Sequence, residues 1–361
     1  MPRPKYVYRG KRKYRWLITL AAFIIAILVL GAVWLFSYMQ RYIVFSQDGL
    51  KLVLPFMETA ASDGLADDTI VTAPSVDAEI VVSEPDFSEV SIGAGEDIQP
   101  VYASYIPFSS VSAQTISYEA ALLSGQSRNA LCIQLKTADG YLAYKSALPI
   151  TDSYGVNGAQ DISEAVAAAH EQGVYMIAEI SSLLDTAMAS RNTPLALKNA
   201  SGAVITDSYG SWLDPYNEDV RGYIAGLIAE LQAMGFDEVV LSGCEFPTTN
   251  DYVMSQTMTE TPSKTAAVSA FALRMSRAAR ELGLKCSSYA DERLLRTGAL
   301  TDGGQELSAM ARIFDRCFVK TSDDVLYTDT QSLSAAFAGE SRVVPVTSGV
   351  VTGTGSYCRA P

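Results

Sequence analysis

A chain of 361 residues, 48% hydrophobic and 19% charged, has material for a substantial core in one large domain or two ordinary ones. Its net charge of −13 is divided unevenly: residues 1–41 hold eight basic residues and no acid, and the remainder carries 19 basic and 40 acidic residues. So acidic a surface, with no basic patch interleaved with aromatics beyond the first fifteen residues, excludes nucleic acid as a partner.

Arg3, Lys5, Arg9, Lys11, Arg12, Lys13 and Arg15 form a basic tail, residues 1–15. An uncharged apolar run from Trp16 to Gln40 follows, longer than the ~20 residues that span a bilayer. A cleaved signal peptide has a shorter apolar region, roughly 7–15 residues, and a small-x-small site. Here the run ends in Trp34-Leu35-Phe36-Ser37-Tyr38, an interfacial aromatic belt. The expectation is an uncleaved, single-pass transmembrane helix over 16–40 in the cell membrane. Its basic flank is cytoplasmic and the rest of the chain extracytoplasmic.

Residues 41–56 read as a short hairpin, with two apolar segments flanking the turn signal Asp48-Gly49. Residues 57–98 contain eleven acids and no Lys or Arg, which predicts an extended, self-repelling, disordered linker. Residues 99–361 form the folded domain, where apolar runs alternate with amphipathic stretches. Strands are predicted at Val101–Ile106, Ala130–Leu135, Tyr175–Ile180, Glu238–Leu241, Lys285–Tyr289, Arg316–Lys320 and Arg342–Val346. Helices are predicted at Ser117–Leu123, Ile162–Gln172, Asn217–Met234, Lys264–Leu282, Gln305–Phe314 and Gln331–Ala338. Gly173, Gly235, Gly283 and Gly339 stop four of them, and Asn217-Glu218-Asp219 opens one with a cap and two acids. Such an α/β series points to a (β/α)8 TIM-like barrel. After Val346 only Thr347–Pro361 remain, rich in Gly, Ser and Thr, so the eighth unit is either irregular or missing. No glycine-rich phosphate loop follows an early strand, which disfavours a doubly wound sheet.

In such a barrel, chemistry sits at the C-terminal ends of the strands. The acids there are Glu179, Glu245 and Asp291 with Glu292; Asp139 and Asp214 lie in following loops. Lys136 and Lys320 end two strands, and Tyr141, Tyr144, Trp212, Tyr216 and Tyr289 lie among the same loops. Two carboxylates facing one glycosidic bond make a glycosidase, one protonating the leaving oxygen while the other attacks or activates water. Glu245 as the acid, with Glu179 or Asp291 as its partner, fits that chemistry. Lys136, Asp139, Tyr141, Trp212, Asp214 and Tyr289 are the candidate substrate-binding residues. Bland roles compete: Asp214 can cap the next helix, and Glu179 can pair with Lys136. Cys132, Cys244, Cys286, Cys317 and Cys358 show no zinc-clip spacing and read as small hydrophobes. With one histidine, His170, near a helix C-terminus, neither a His-based triad nor a multi-His metal site is expected, and no cofactor is implied.

Four segments carry a family resemblance: Ile162–Ile180, Pro194–Gly202, Trp212-Leu213-Asp214-Pro215-Tyr216-Asn217 and Gly235–Pro247. With Leu135–Tyr144, they resemble the glycoside hydrolase barrels related to the α-amylase superfamily, over roughly residues 101–346. The resemblance implies a TIM barrel and a glycan partner of cell-wall or α-glucan type. It also implies a pattern like Phe-Asp-Tyr-Val-Arg-Phe-Pro at the central strand. This chain has Leu241-Ser242-Gly243-Cys244-Glu245-Phe246-Pro247, with Ser242 at the nucleophile position and Glu245 at the arginine position. Thr137 likewise follows Lys136 where the pattern has an acid. A serine without a base does not replace a carboxylate beside an oxocarbenium-like centre. The preferred expectation is a degenerate barrel that binds glycan or acts at the cell envelope. An active hydrolase with relocated carboxylates and a protein-interaction scaffold are the alternatives.

Overall fold

The computed structural model describes residues 43–46, 49–52 and 98–361, apart from 124, 126, 256–261, 291–293, 295–296, 321–336, 338–339 and 349–354. The expected membrane span 16–40, most of the acidic linker, the 331–338 helix and Asp291 with Glu292 lie outside the described residues. Among the described residues no helix is long and apolar enough to cross a membrane. The chain divides into two compact units, Met1–Val81 and Val82–Pro361. In the first, β1 (Ile43–Ser46) and β2 (Gly49–Leu52) pair antiparallel. Gly49 stands opposite Ser46, inside the ladder rather than in the turn that the Asp48-Gly49 signal predicts for it.

The second unit is built on β3 (Tyr102–Ile106), β4 (Ala130–Lys136), β5 (Tyr175–Ser181), β6 (Glu238–Ser242) and β7 (Lys285–Ala290). A small antiparallel ribbon follows, β8 (Ala299–Leu300) with β9 (Gln305–Glu306), then β10 (Cys317–Lys320), β11 (Val343–Thr347) and β12 (Tyr357–Arg359). Strands β3 to β7 and β10 to β12 are all parallel and close on themselves as an eight-stranded barrel. Helices Ala113–Leu123, Ser163–Glu171, Glu218–Met234, Lys264–Glu281 and Leu307–Ile313 alternate with the strands, giving a TIM-like α/β barrel. The seven predicted strands fall within a residue or two of their expected positions.

The eighth unit is present: β12 pairs with β11 on one side and with β3 on the other, Cys358 opposite Ala103. It is only three residues long, and the only one of them that is buried is Cys358. The expected helix at 305–314 begins later, at Leu307, because Gln305 and Glu306 are taken by the ribbon.

Period-two alternation splits the apolar residues between two cores. Ala103, Cys132, Ile177, Val240, Phe318, Val344 and Cys358 fill the barrel. Leu131, Ile133, Met176, Ile180, Val239 and Leu241 face outward against helix residues such as Ile224, Leu227, Phe271 and Met275. Each fully buried Leu, Ile or Phe contributes roughly 1.5–3 kcal/mol. At the N-terminal mouth, Glu238 pairs with Arg316 and accepts hydrogen bonds from Ser287 (2.5 Å) and Tyr175 (3.0 Å). Arg316 also donates to the Gln99 carbonyl, so this network floors the barrel. All five cysteines are buried and free.

Helix ends follow the sequence signals. Asn217 Oδ1 accepts from the Asp219 amide at 2.9 Å, and Gly235 takes φ 97° to end the same helix. His170 sits in the last turn of Ser163–Glu171, its Nδ1 3.3 Å from Asp237 Oδ2.

Candidate functional site

The C-terminal mouth of the barrel holds a cavity of about 770 Å³. Glu179, Trp212, Ser242, Glu245, Tyr289 and Lys320 are among the residues lining it.

Glu179 lies near the C-terminal end of β5 and points inward, 2% exposed. Tyr105 of β3 donates to its Oε2 at 2.7 Å, and Gln134 of β4 donates to its Oε1 at 3.3 Å. Burial pushes this carboxyl above its ordinary value. Hydrogen bonds from Tyr105, Gln134 and Ser242 and the charge of Lys320 oppose the push without cancelling it. Glu179 is therefore held toward its protonated form in a cavity open to solvent.

Glu245 comes from the tip after β6. Gly243 makes the tip possible: it takes φ 58°, and a Cβ there would meet Leu184 Cβ at 2.8 Å and Ser181 Oγ at 2.9 Å. The segment is then tied down on both sides of Glu245. Gln305 donates to the Cys244 carbonyl at 3.1 Å, and the Phe246 amide donates to Gly303 at 2.8 Å. Lys264, 7% exposed, donates to the carbonyls of Pro247 (2.9 Å) and Asp302 (3.0 Å). Burial pushes the Cys244 thiol up to about 12, which excludes it as a nucleophile at neutral pH.

Three buried polar atoms on the lining residues have no hydrogen-bond partner among the described residues: Trp212 Nε1, Tyr289 OH and Gln305 Oε1. No group of His, Cys, Asp and Glu among the described residues is arranged to hold a metal ion.

Of the residues singled out from sequence, Glu179, Glu245, Trp212 and Tyr289 meet in this cavity. Asp291 lies outside the described residues. Lys136 does not reach the cavity. It is fully buried and pairs with Asp185 at 2.8 Å and the Ser181 carbonyl at 2.6 Å. The cause is a bulge near the end of β4: Gln134 pairs with Glu179, but Lys136 pairs with Ile180. Simple alternation puts Lys136 inside with Gln134, whereas the extra residue turns it to the helix side. The bland alternative, a Glu179–Lys136 pair, does not form: Glu179 bonds Tyr105 and Lys136 pairs with Asp185.

Asp214 is 2% exposed and accepts from the amides of Tyr216 (2.9 Å) and Ser255, so it pins two loops together. Asn217, not Asp214, caps the helix. Tyr141 is 40% exposed, but its hydroxyl accepts from Arg191 at 2.7 Å and its ring lies under the same guanidinium. The Asp139 carbonyl accepts from the Ala187 amide, and neither Asp139 nor Tyr141 lines the cavity. Sequence reasoning did not single out Tyr105 and Gln134, although inward alternation from Ala103 and Cys132 marks both positions. Lys320, the strand-end lysine of β10, has its ammonium 5.8 Å from the Tyr289 ring.

A family model described as "Putative glycosyl hydrolase domain" matches residues 103–316, more than half of the chain. The chain belongs to this family. The matched segment contains Glu179, Glu245, Trp212 and Tyr289. No curated protein matches the sequence. Among solved structures, the PgaB (BpsB) glycoside hydrolase domain from Bordetella bronchiseptica is similar at 11% identity and a TM-score of 0.52. The match covers 69% of this chain and 85% of that one. A hypothetical protein from Ruminiclostridium thermocellum is 23% identical over 51% of this chain and 95% of its own, with a TM-score of 0.44. The GH20 β-N-acetylhexosaminidase from Streptomyces coelicolor is 13% identical, with a TM-score of 0.44; 68% of this chain spans about half of that one, 47%. At 11% identity the likeness to the Bordetella bronchiseptica domain is one of fold.

Proposed function

We propose that the barrel binds a carbohydrate in this cavity and cleaves a glycosidic bond there, with Glu179 as general acid and Glu245 as the second carboxylate. The observation that carries this reading is a buried carboxyl held toward its protonated form sharing one cavity with a second carboxylate. Glycoside hydrolysis needs that division: one carboxyl protonated for the leaving oxygen, the other ionised for attack or water activation. Burial in the barrel supplies the difference at Glu179. The ring of Tyr289, partly exposed on the cavity wall, offers a face for a sugar.

The test is incubation with α-glucans and cell-wall glycans, with products read by mass spectrometry. Glu179→Gln and Glu245→Gln are each expected to lower kcat by about 10²–10⁴-fold. Cleavage undiminished in both variants refutes the assignment. A second reading, binding without cleavage, is favoured by Ser242 at the strand tip where the resemblance expects an acid. Saturable binding by a folded protein that releases no product selects it. The Trp212–Asn217 and Gly235–Pro247 runs support a relation to the α-amylase superfamily.

We also place the barrel outside the cell: basic tail 1–15 in the cytoplasm, anchor 16–40, hairpin 41–56, acidic spacer 57–98 and barrel 99–361. Protease added to intact cells is expected to remove the barrel. A barrel that survives until the cells are lysed refutes this orientation.

A further inference from the structure

Tyr209 lines the same cavity as the two carboxylates and is 63% exposed. An exposed ring by itself says little. This one stands on an unusually constrained turn. Asp207 Oδ1 accepts from the amides of Tyr209 (2.9 Å) and Gly210 (3.2 Å), and the Asp207 amide donates back to the Gly210 carbonyl at 2.9 Å. Thr206 and Ser211 pair across the turn, their hydroxyls 2.8 Å apart. Gly210 takes φ 142°, where a Cβ would lie 2.2 Å from Thr186 Oγ1. Three residues after Tyr209 the same segment carries Trp212, 1% exposed in the cavity wall with its Nε1 unpartnered among the described residues. One short, stiff segment therefore presents one aromatic ring in the wall and a second at the mouth.

We infer that Tyr209 is an outer binding platform: the substrate is a chain, with one unit at the carboxylates and a further ring stacked on Tyr209. This rests on the carbohydrate reading of the cavity. The axial C–H groups of a pyranose make a flat apolar face, and an aromatic face of opposite polarity receives it. Because the turn's backbone is fixed before binding, only the Tyr209 side chain is left to order when a ring lands on it. The exposed position also makes Tyr209 dispensable for folding, so its substitution reports on binding.

The experiment measures affinity by calorimetry on the full-length protein, for malto-oligosaccharides and chito-oligosaccharides from disaccharide to hexasaccharide and for graded cell-wall glycan strands. Where cleavage occurs, the Glu179→Gln background stops turnover. Tyr209→Ala is expected to weaken the longest chains roughly tenfold while leaving the shortest bound member within about twofold. Tyr209→Trp keeps a platform and is expected to restore the long-chain affinity. Loss that is equal at every length, or no loss at any length, overturns the platform while leaving the carbohydrate site in place. Wild-type protein that binds no member of any series overturns the carbohydrate reading, and the platform with it.

Discussion

Replacing Lys136 with methionine separates a structural role for this side chain from a ligand-binding one. Lys136 and Asp185 are both fully buried, 2.8 Å apart, and Lys136 also donates to the Ser181 carbonyl. Methionine fills nearly the same volume, so the cavity contribution is small and the electrostatic one dominates. Removing one partner of a buried pair strands the other charge, at about 3–5 kcal/mol, and the lost carbonyl bond adds about 1 kcal/mol. A domain of this size changes its Tm by roughly 2–4 °C per kcal/mol, so a fall of about 10 °C is expected in a thermal melt. Asp185 Oδ1 also caps the following short helix by accepting from the Met188 amide at 2.8 Å. Adding Asp185→Ser keeps a capping oxygen but removes the stranded charge, so the double variant is expected to recover much of the loss. A fall of less than about 1 kcal/mol in Lys136→Met refutes the buried-pair account, as does weakened glycan affinity at unchanged Tm.

Glu179→Gln tests the raised carboxyl through stability. A folded value above the usual 4.5 means that the stabilising contribution is complete below 4.5 and is lost as pH rises through the folded value. Glutamine does not ionise, so its Tm advantage over wild type is expected to grow from about pH 4 to pH 8. A difference independent of pH refutes it. Tyr105→Phe removes a 2.7 Å hydrogen bond that favours the ionised form of Glu179. If Glu179 is the acid of cleavage, the alkaline limb of its pH–rate profile is expected to move to higher pH, and an unmoved limb counts against the role.

The barrel was legible because its strands are buried on both faces. Runs such as Ala130–Ile133 and Val239–Leu241 are continuously apolar, and the stops at Gly173, Gly235 and Gly283 frame the helices between them. Tyr357-Cys358-Arg359 carries no such run. Its place is set by backbone pairing with β11 and β3, which leaves no periodicity to read. The site divides in the same way. Glu179 and Tyr289 follow from alternation within strands. Lys136 was misplaced because a single bulged residue reverses the face of everything after it. Asp207, Tyr209 and Asp302 come from turns whose shape depends on Thr186, Lys264 and other distant partners, so no local pattern announces them.

The pairing of β12 with β3 has a kinetic consequence. The Val101 amide donates to Ser356 Oγ across 255 positions of chain, and the strand ladder beside it closes at the same separation. At ~5–20 residues per second, roughly 13–50 s of synthesis separate the two partners. Throughout that interval the outer edge of β3 has no strand beside it, on a folding intermediate that already carries most of the apolar surface. An open strand edge of that kind recruits strands from neighbouring chains. Low temperature during expression, or a holdase chaperone that shields that edge before the ring closes, is therefore expected to raise the soluble fraction more than any change at the cavity.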